Sequence, residues 1–248
     1  MKSSLSLQRR TADKLVELAE LLDCAYGAPE GDLDNKPDPL DEAIYITLTL
    51  QTDLRRAVMI WARLRAAFPT WDKVATARTA RVASILREGG LHRQKARTIK
   101  RLLTIVKSLT GEFSLTSLHG MTDAEAERFL LRLPGFSWKT ARCVLLYSLD
   151  RDVLPIDSNA FRILKRTGIL APSAVYRRRS LHDTLQEAVP AASRRALHVN
   201  LVVHGQRTCL PHAPRCRDCV VRTACAMRGI PRSSRPDSAI LATLDRAC

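Results

Sequence analysis

LRLPGFSWKTARCVLL, residues 131–146, is the stretch whose reading decides the fold. Upstream of it, Thr122 and Glu125 stand in the Thr-x-x-Glu spacing of a capping box, which predicts a helix running to about Leu133. Pro134 and Gly135 break that helix, and a second one is predicted from near Trp138 to about Leu149. A Pro-Gly turn between two helices leaves backbone N–H groups at the start of the second without intrahelical partners, and the helix dipole favours an anion there. Gly135 has no side chain to hold a phosphate away from the backbone. A plain αα-hairpin turn is the other reading of the same residues.

Outward from the hairpin the chain reads as nearly all helix. Leu15, Leu18, Ala19 and Leu22 form one helical stripe, and Ala57, Ile60, Trp61, Leu64 and Phe68 another, ended by Pro69. Further helices are predicted at about 159–168, 173–188 and 191–204. Sustained alternation of period two is absent. The segment GAPEGDLDNKPDPL, residues 27–40, holds three prolines and two glycines and predicts a linker. Residues 231–236 read as a flexible tail. No internal repeat is evident.

The charge points to a partner. Forty basic residues against 25 acidic ones give +15, with a pI near 10.1. A fold does not need that imbalance, and a polyanion, nucleic acid above all, is its natural complement. No apolar run approaches the roughly 18 residues of a membrane span. The first ten residues are polar and lack the apolar core of a secretion signal.

Four of the seven cysteines, Cys209, Cys216, Cys219 and Cys225, follow C-x6-C-x2-C-x5-C. Thiolates are soft ligands suited to zinc or an iron–sulfur cluster. A two-knuckle zinc site has two close pairs, whereas here only Cys216 and Cys219 are close. One compact loop could reach the four corners of a [4Fe–4S] cubane, one thiolate to each iron. The spacing favours the cluster and leaves zinc open. Cys24, Cys143 and Cys248 carry no assigned chemistry.

LPGFSWKTA in the hairpin, PIDSNAFRI at 155–163, HGQRTC at 204–209 and the cysteine loop together resemble, in order and spacing, the endonuclease III-like family of helix-hairpin-helix (HhH-GPD) DNA glycosylases. LTLQTD at 48–53 and GLHRQKA at 90–96 resemble that family's DNA-facing loops. The resemblance covers roughly residues 40–228. It implies an all-α, two-lobed fold with a C-terminal [4Fe–4S] cluster loop on the four cysteines. One lobe would be a helical barrel over 42–153. The other would join 1–41 to 154–228, leaving 229–248 as a tail. It further implies a monomer working in the cytoplasm, on a bacterial nucleoid, on double-stranded DNA with a flipped damaged base. Lys139 takes the place of the catalytic lysine and Asp157 that of the catalytic aspartate, facing each other across a cleft. Gly135, Ser137, Thr140, Leu50, Gln51, Leu91, Lys95 and Arg215 take DNA-contacting places, with Leu50 or Gln51 and Leu91 as wedges.

The chemistry suits these residue types. A damaged base must leave the stack before C1′ can be attacked. A lysine amine can displace it and form a Schiff base with the opened sugar, after which elimination of the 3′ phosphate nicks the strand. A free lysine, with a pKa of about 10.4, is only about 0.04% neutral at pH 7, so bringing it to about 7 costs about 4 kcal/mol. Asp157 would stabilise the cationic sugar and handle protons. Without the resemblance, Lys139 reads as a phosphate-binding surface lysine and Asp157 as a helix N-cap. Three departures from the family pattern bear on the site, the first being Ser158 and Asn159 after the aspartate where the family often has Thr-His. Ser137 replaces a glycine, at a cost of roughly 1 kcal/mol if that position needs positive φ. Leu50 stands where relatives carry a gap-filling glutamine. The reading is a bifunctional glycosylase and AP lyase acting on oxidised pyrimidines. A mismatch thymine or uracil glycosylase, and a DNA-damage binder with weak turnover, stay open.

Overall fold

The computed structural model describes residues 2–27 and 33–230, with side chains from residue 11 onward. The residues read as a tail at 231–236, and residues 28–32 of the linker, lie outside that description. Every regular element among the described residues is a helix. None of the helices is long and apolar enough to cross a membrane. The chain divides into two compact units, residues 31–151 and residues 1–30 with 152–248.

In the first unit, α2 (Pro39–Thr49) is the central element, with nine of its eleven residues buried. It begins inside the segment read as linker. Pro39 sits at the first helical turn, where its missing N–H is not needed, and Asp38 caps the N–H groups of Leu40 and Asp41, both at 2.9 Å. Around it pack α3 (Leu54–Ala67), α6 (His92–Thr110) and α8 (Trp138–Ser148), with the short α4 (Trp71–Thr76) and α5 (Thr79–Ile85) against α6. Asp53 caps α3 through the N–H of Arg56 at 3.0 Å. α7 (Asp123–Leu130) carries the expected capping box: Thr122 accepts from the Glu125 N–H, and Glu125 accepts from the Thr122 N–H at 2.9 Å. Ile99, Leu102, Leu103 and Val106 give α6 a fully buried stripe, each side chain contributing about 1.5–3 kcal/mol of burial.

In the second unit, the stripe of α1 (Lys2–Tyr26), Leu15, Leu18 and Leu22, is buried with Ile163 and Leu164 of α9 (Ser158–Arg166) and with Leu197 and Leu201 of α11 (Arg194–Arg207). α10 (Arg179–Glu187) adds Leu185. It starts six residues later than the sequence predicts. The segment ahead of it is instead fastened by Tyr176, whose hydroxyl donates to the Ile156 carbonyl at 3.0 Å and whose ring lies 5.2 Å from that of Phe161. α9 and α11 approach closely at Gly205, where a Cβ would stand 2.5 Å from that of Asn159. A side chain at that position would push the two helices apart, and the residues after Asp157 with them.

Candidate functional site

The hairpin is built as the sequence implies. After α7 the chain turns through Leu131–Phe136 hydrogen bonds, with the Phe136 N–H on the Leu133 carbonyl at 3.2 Å. Gly135 takes φ +83°, a conformation costly for any residue with a Cβ. Ser137 is extended, at φ −126° and ψ 174°, so replacing a glycine there carries no backbone penalty. Its hydroxyl lies 3.3 Å from that of Thr140 and does not cap α8. Gly135 and Ser137 are exposed, while Thr140 is buried behind them.

Lys139 stands, half-buried, in the first turn of α8. Its charge is felt by Glu42, a residue to which the sequence gave no role. Glu42 is fully buried on α2, where its carboxylate accepts from the Asn35 amide at 2.6 Å and the Lys36 N–H at 2.7 Å. Burial pushes its pKa up from 4.5 to about 7, against the pull of those donors and of the charges on Lys139 and Lys36. The only signal in sequence is a pair of acids, Asp41 and Glu42, at the head of the mostly apolar residues 40–48. Because the folded value lies above the unfolded one, the folded chain holds an extra proton between about pH 4.5 and 7. Glu42 therefore contributes stability that is full below that window and lost across it as pH rises, at up to about 1.4 kcal/mol per pH unit. Urea unfolding at pH 5 and pH 7 should show this loss in the parent and not in Glu42→Gln. Equal losses in both would assign it elsewhere.

Leu50, Gln51 and Leu91 are exposed on two loops of the same unit, the leucines at 46% and 45%. Lys95, expected among the DNA contacts, is buried at 3% exposure. Its ammonium donates inward to the carbonyls of Leu48 and Gly89, each at 2.8 Å, and to the Thr52 hydroxyl. Burial pushes its pKa down to about 8. A lysine in a basic stretch reads as solvated, and nothing in the sequence places three acceptors around it. Close by, Arg87, His92, Arg93 and Arg97 line a cavity of about 390 Å³ between α5 and α6.

Asp157 belongs to the other unit and is half-buried. It is the N-cap of α9, accepting from the Ala160 N–H at 2.7 Å on one oxygen and from the Asn159 amide at 2.8 Å on the other. Asn159 in turn accepts from Arg162 at 2.9 Å, and Arg162 donates to the carbonyls of Gly205 at 2.9 Å and Cys209 at 3.0 Å. A short polar chain thus runs from the aspartate to the start of the cysteine loop.

Cys209, Cys216, Cys219 and Cys225 form no disulfide. Their charges oppose one another. Cys219 is pushed up to about 12 by burial, and the other three cysteines add to the rise. Burial also raises Cys225, with Cys209 and Cys216 contributing. Donors converge on the sulfurs: Arg166 on Cys209 Sγ at 3.3 Å and the Met227 N–H on Cys225 Sγ at 3.3 Å. His204 Nε2 lies 3.6 Å from Cys219 Sγ, and its Nδ1 meets the Tyr26 hydroxyl at 2.8 Å. Among the described residues no group of three or more His, Cys, Asp or Glu side chains is placed to hold a metal ion. An all-thiolate set with N–H donors on two of its sulfurs is the donor chemistry an iron–sulfur cluster takes, one thiolate to each iron. Arg215 is exposed on this loop, its backbone N–H on the Thr208 carbonyl at 2.9 Å.

Residues 45–189 match the profile of HhH-GPD superfamily base excision DNA repair proteins. An Arabidopsis thaliana protein named as a DNA glycosylase is 30% identical over 167 residues, which cover 67% of this chain and 56% of that protein. Endonuclease III of Sulfolobus acidocaldarius is 29% identical over 157 residues, covering 63% of this chain and 66% of the relative. Among solved structures, that of a non-covalent endonuclease III–DNA complex aligns with a TM-score of 0.75 at 19% identity, over 87% of this chain and 95% of the other. That likeness is one of fold.

Proposed function

This chain belongs to the HhH-GPD superfamily of base excision DNA repair proteins, and from that premise we propose that it is a DNA glycosylase with AP lyase activity, acting on oxidised pyrimidines in duplex DNA. The observation that carries this reading is Lys139 in the first turn of α8, directly after the Gly135 turn. In that arrangement the exposed turn grips a phosphate through backbone N–H groups, and the amine in the helix's first turn is offered to the sugar beside it. Lys139 displaces the base of an everted nucleotide and forms a Schiff base at C1′. The C2′ proton is then removed, and the 3′ phosphate leaves as the strand is nicked. Asp157, an ionisable group held by two donors, stabilises positive charge on the sugar during base loss. Leu50 and Leu91, two exposed leucines on loops of one unit, fill the gap the nucleotide leaves, with Gln51 beside them. Arg215 and the Arg93 side of the α5–α6 cavity supply phosphate contacts.

The reading is tested on duplexes each carrying one lesion, scored separately for base release and strand nicking. Oxidised pyrimidines should give both, in parallel. Release of thymine or uracil from mismatches without nicking would replace it with a mismatch glycosylase.

The four cysteines are proposed to hold a [4Fe–4S] cluster, which when bound supplies a rigid, charge-balanced knot for the loop bearing Arg215. Arg166 serves that knot from α9, its guanidinium reaching the carbonyls of Leu210 at 2.7 Å and Pro211 at 2.8 Å besides the Cys209 sulfur. Protein purified without air should contain about four irons and four sulfides per chain. Stoichiometric zinc with no iron would remove the cluster.

A further inference from the structure

The inward turn of Lys95 has a consequence for the two exposed leucines. We propose that Lys95 is a positioning residue that locks the loops of Leu50 and Leu91 into one rigid two-pronged wedge, assembled before DNA arrives. The inference rests on the reading of Leu50 and Leu91 as wedge residues given above.

The ties flank Leu50 and hold Leu91 from the residue two before it and at its own carbonyl. Lys95 Nζ donates to the carbonyl of Leu48, two residues before Leu50, and to the hydroxyl of Thr52, two residues after it. Its third donor goes to the carbonyl of Gly89, two residues before Leu91, and its own backbone N–H goes to the Leu91 carbonyl at 2.9 Å. The Thr52 hydroxyl joins the loops a second time, at 2.5 Å from the Gly89 carbonyl and 3.2 Å from that of Leu50. Gly89 itself is pressed onto α3, because the Ile60 side chain occupies the space a Cβ would need.

Both loops hold a backbone that the chain resists, at Gln51 beside the first prong and at Leu91 itself. Gln51 has φ +52° and Leu91 φ +47°, each costing a non-glycine residue roughly 1–2 kcal/mol. Such conformations persist where the surroundings over-determine them. The buried ammonium does so here. It has three N–H groups and three acceptors drawn from both loops, so separating the loops would strand a charge out of water, which is strongly disfavoured. Neither prong can shift without the other. The ordering cost of the wedge is then met on folding and not on binding, which raises the preference for DNA that accepts both prongs.

The test compares affinity for a duplex bearing an abasic-site analogue with affinity for the same duplex undamaged, over a range of salt. Lys95→Met, which keeps the stem and removes the donors, should reduce the preference for the abasic duplex by about tenfold. Its salt dependence should match the parent, because Lys95 reaches no phosphate. A fall of about 0.9 in the slope of log K against log salt would make Lys95 a phosphate contact and overturn the inference. Leu50→Ala and Leu91→Ala report on the underlying reading: if neither changes the preference, the wedge assignment fails. If they lower it while Lys95→Met does not, the wedge stands and the lock is refuted. Amide exchange adds a readout of the lock itself, since Lys95→Met should speed residues 50–52 and 89–91 together and leave the interiors of α2 and α6 unchanged. Should Lys95→Met fail to fold, Thr52→Val, which removes the second tie between the loops, takes its place, read by the preference for the abasic duplex and by amide exchange, and an unchanged result in both refutes the lock.

Discussion

Lys139→Ala is expected to abolish borohydride trapping on an abasic duplex and to lower strand nicking by roughly 10³-fold or more, as removal of a nucleophile does. Folding should be almost untouched. Lys139 lies in the first turn of α8 and is only half-buried, and alanine is the best helix former, so thermal unfolding should shift by no more than about 1 kcal/mol equivalent. The competing role, a lysine gripping phosphate, is separated by Lys139→Arg. Arginine keeps the charge and reaches phosphate at least as well, but it cannot lose a proton near neutral pH and forms no Schiff base. Trapping and nicking should vanish in the arginine variant while duplex affinity and its salt dependence stay near the parent. Nicking retained by Lys139→Arg would end the covalent reading. Glu42 is coupled to this lysine, since the charge on Lys139 pulls the Glu42 carboxyl down against the burial that raises it.

The parts of this fold written in local patterns were legible. The Leu15, Leu18 and Leu22 stripe, the Thr122–Glu125 capping box and the Pro134–Gly135 break each rest on residues within one or two helical turns, and each stands in the structure as its spacing implies. α11 also lies close to its predicted place, although Leu197 to Gly205 are buried without interruption, so no amphipathic stripe marks its boundaries. Where tertiary contacts decide, local pattern misleads. Ser173 to Arg178 has a helical composition, yet Tyr176 is spent on Ile156 and Phe161 and the helix starts only at Arg179. Pro39 reads as part of a linker, yet it opens the central helix of its unit because Asp38 caps it. The site divides the same way. Gly135 and the N-cap role of Asp157 follow from turn and capping chemistry. The inward Lys95, the buried Glu42 and the Asn159–Arg162 chain behind Asp157 depend on partners distant in sequence, which no spacing rule supplies.

Asp157→Asn should lower base release by roughly 10²–10⁴-fold, the range for losing a charge or proton-transfer group from a transition state. The cap survives, since asparagine serves as well as aspartate and keeps an oxygen for the Ala160 N–H. The second oxygen becomes an NH2 group facing the NH2 of Asn159. Asn159 cannot simply flip to accept it, because its own oxygen is held by the Arg162 guanidinium at 2.9 Å. One half-buried pair of donors is therefore left face to face, and the helix N-terminus loses an anion, for a combined cost of about 1–3 kcal/mol. A drop in activity could then be blamed on a loosened α9. Exchanging the two residues, Asp157→Asn with Asn159→Asp, removes that ambiguity. The new amide at 157 donates to the new carboxylate at 159, which also satisfies Arg162, and both replacements are isosteric beside Gly205. Thermal stability should return to near the parent value while base release stays as low as in the single variant. Should release return along with stability, the carboxylate at 157 would be only a cap, and the charge that helps the base depart would have to come from another group.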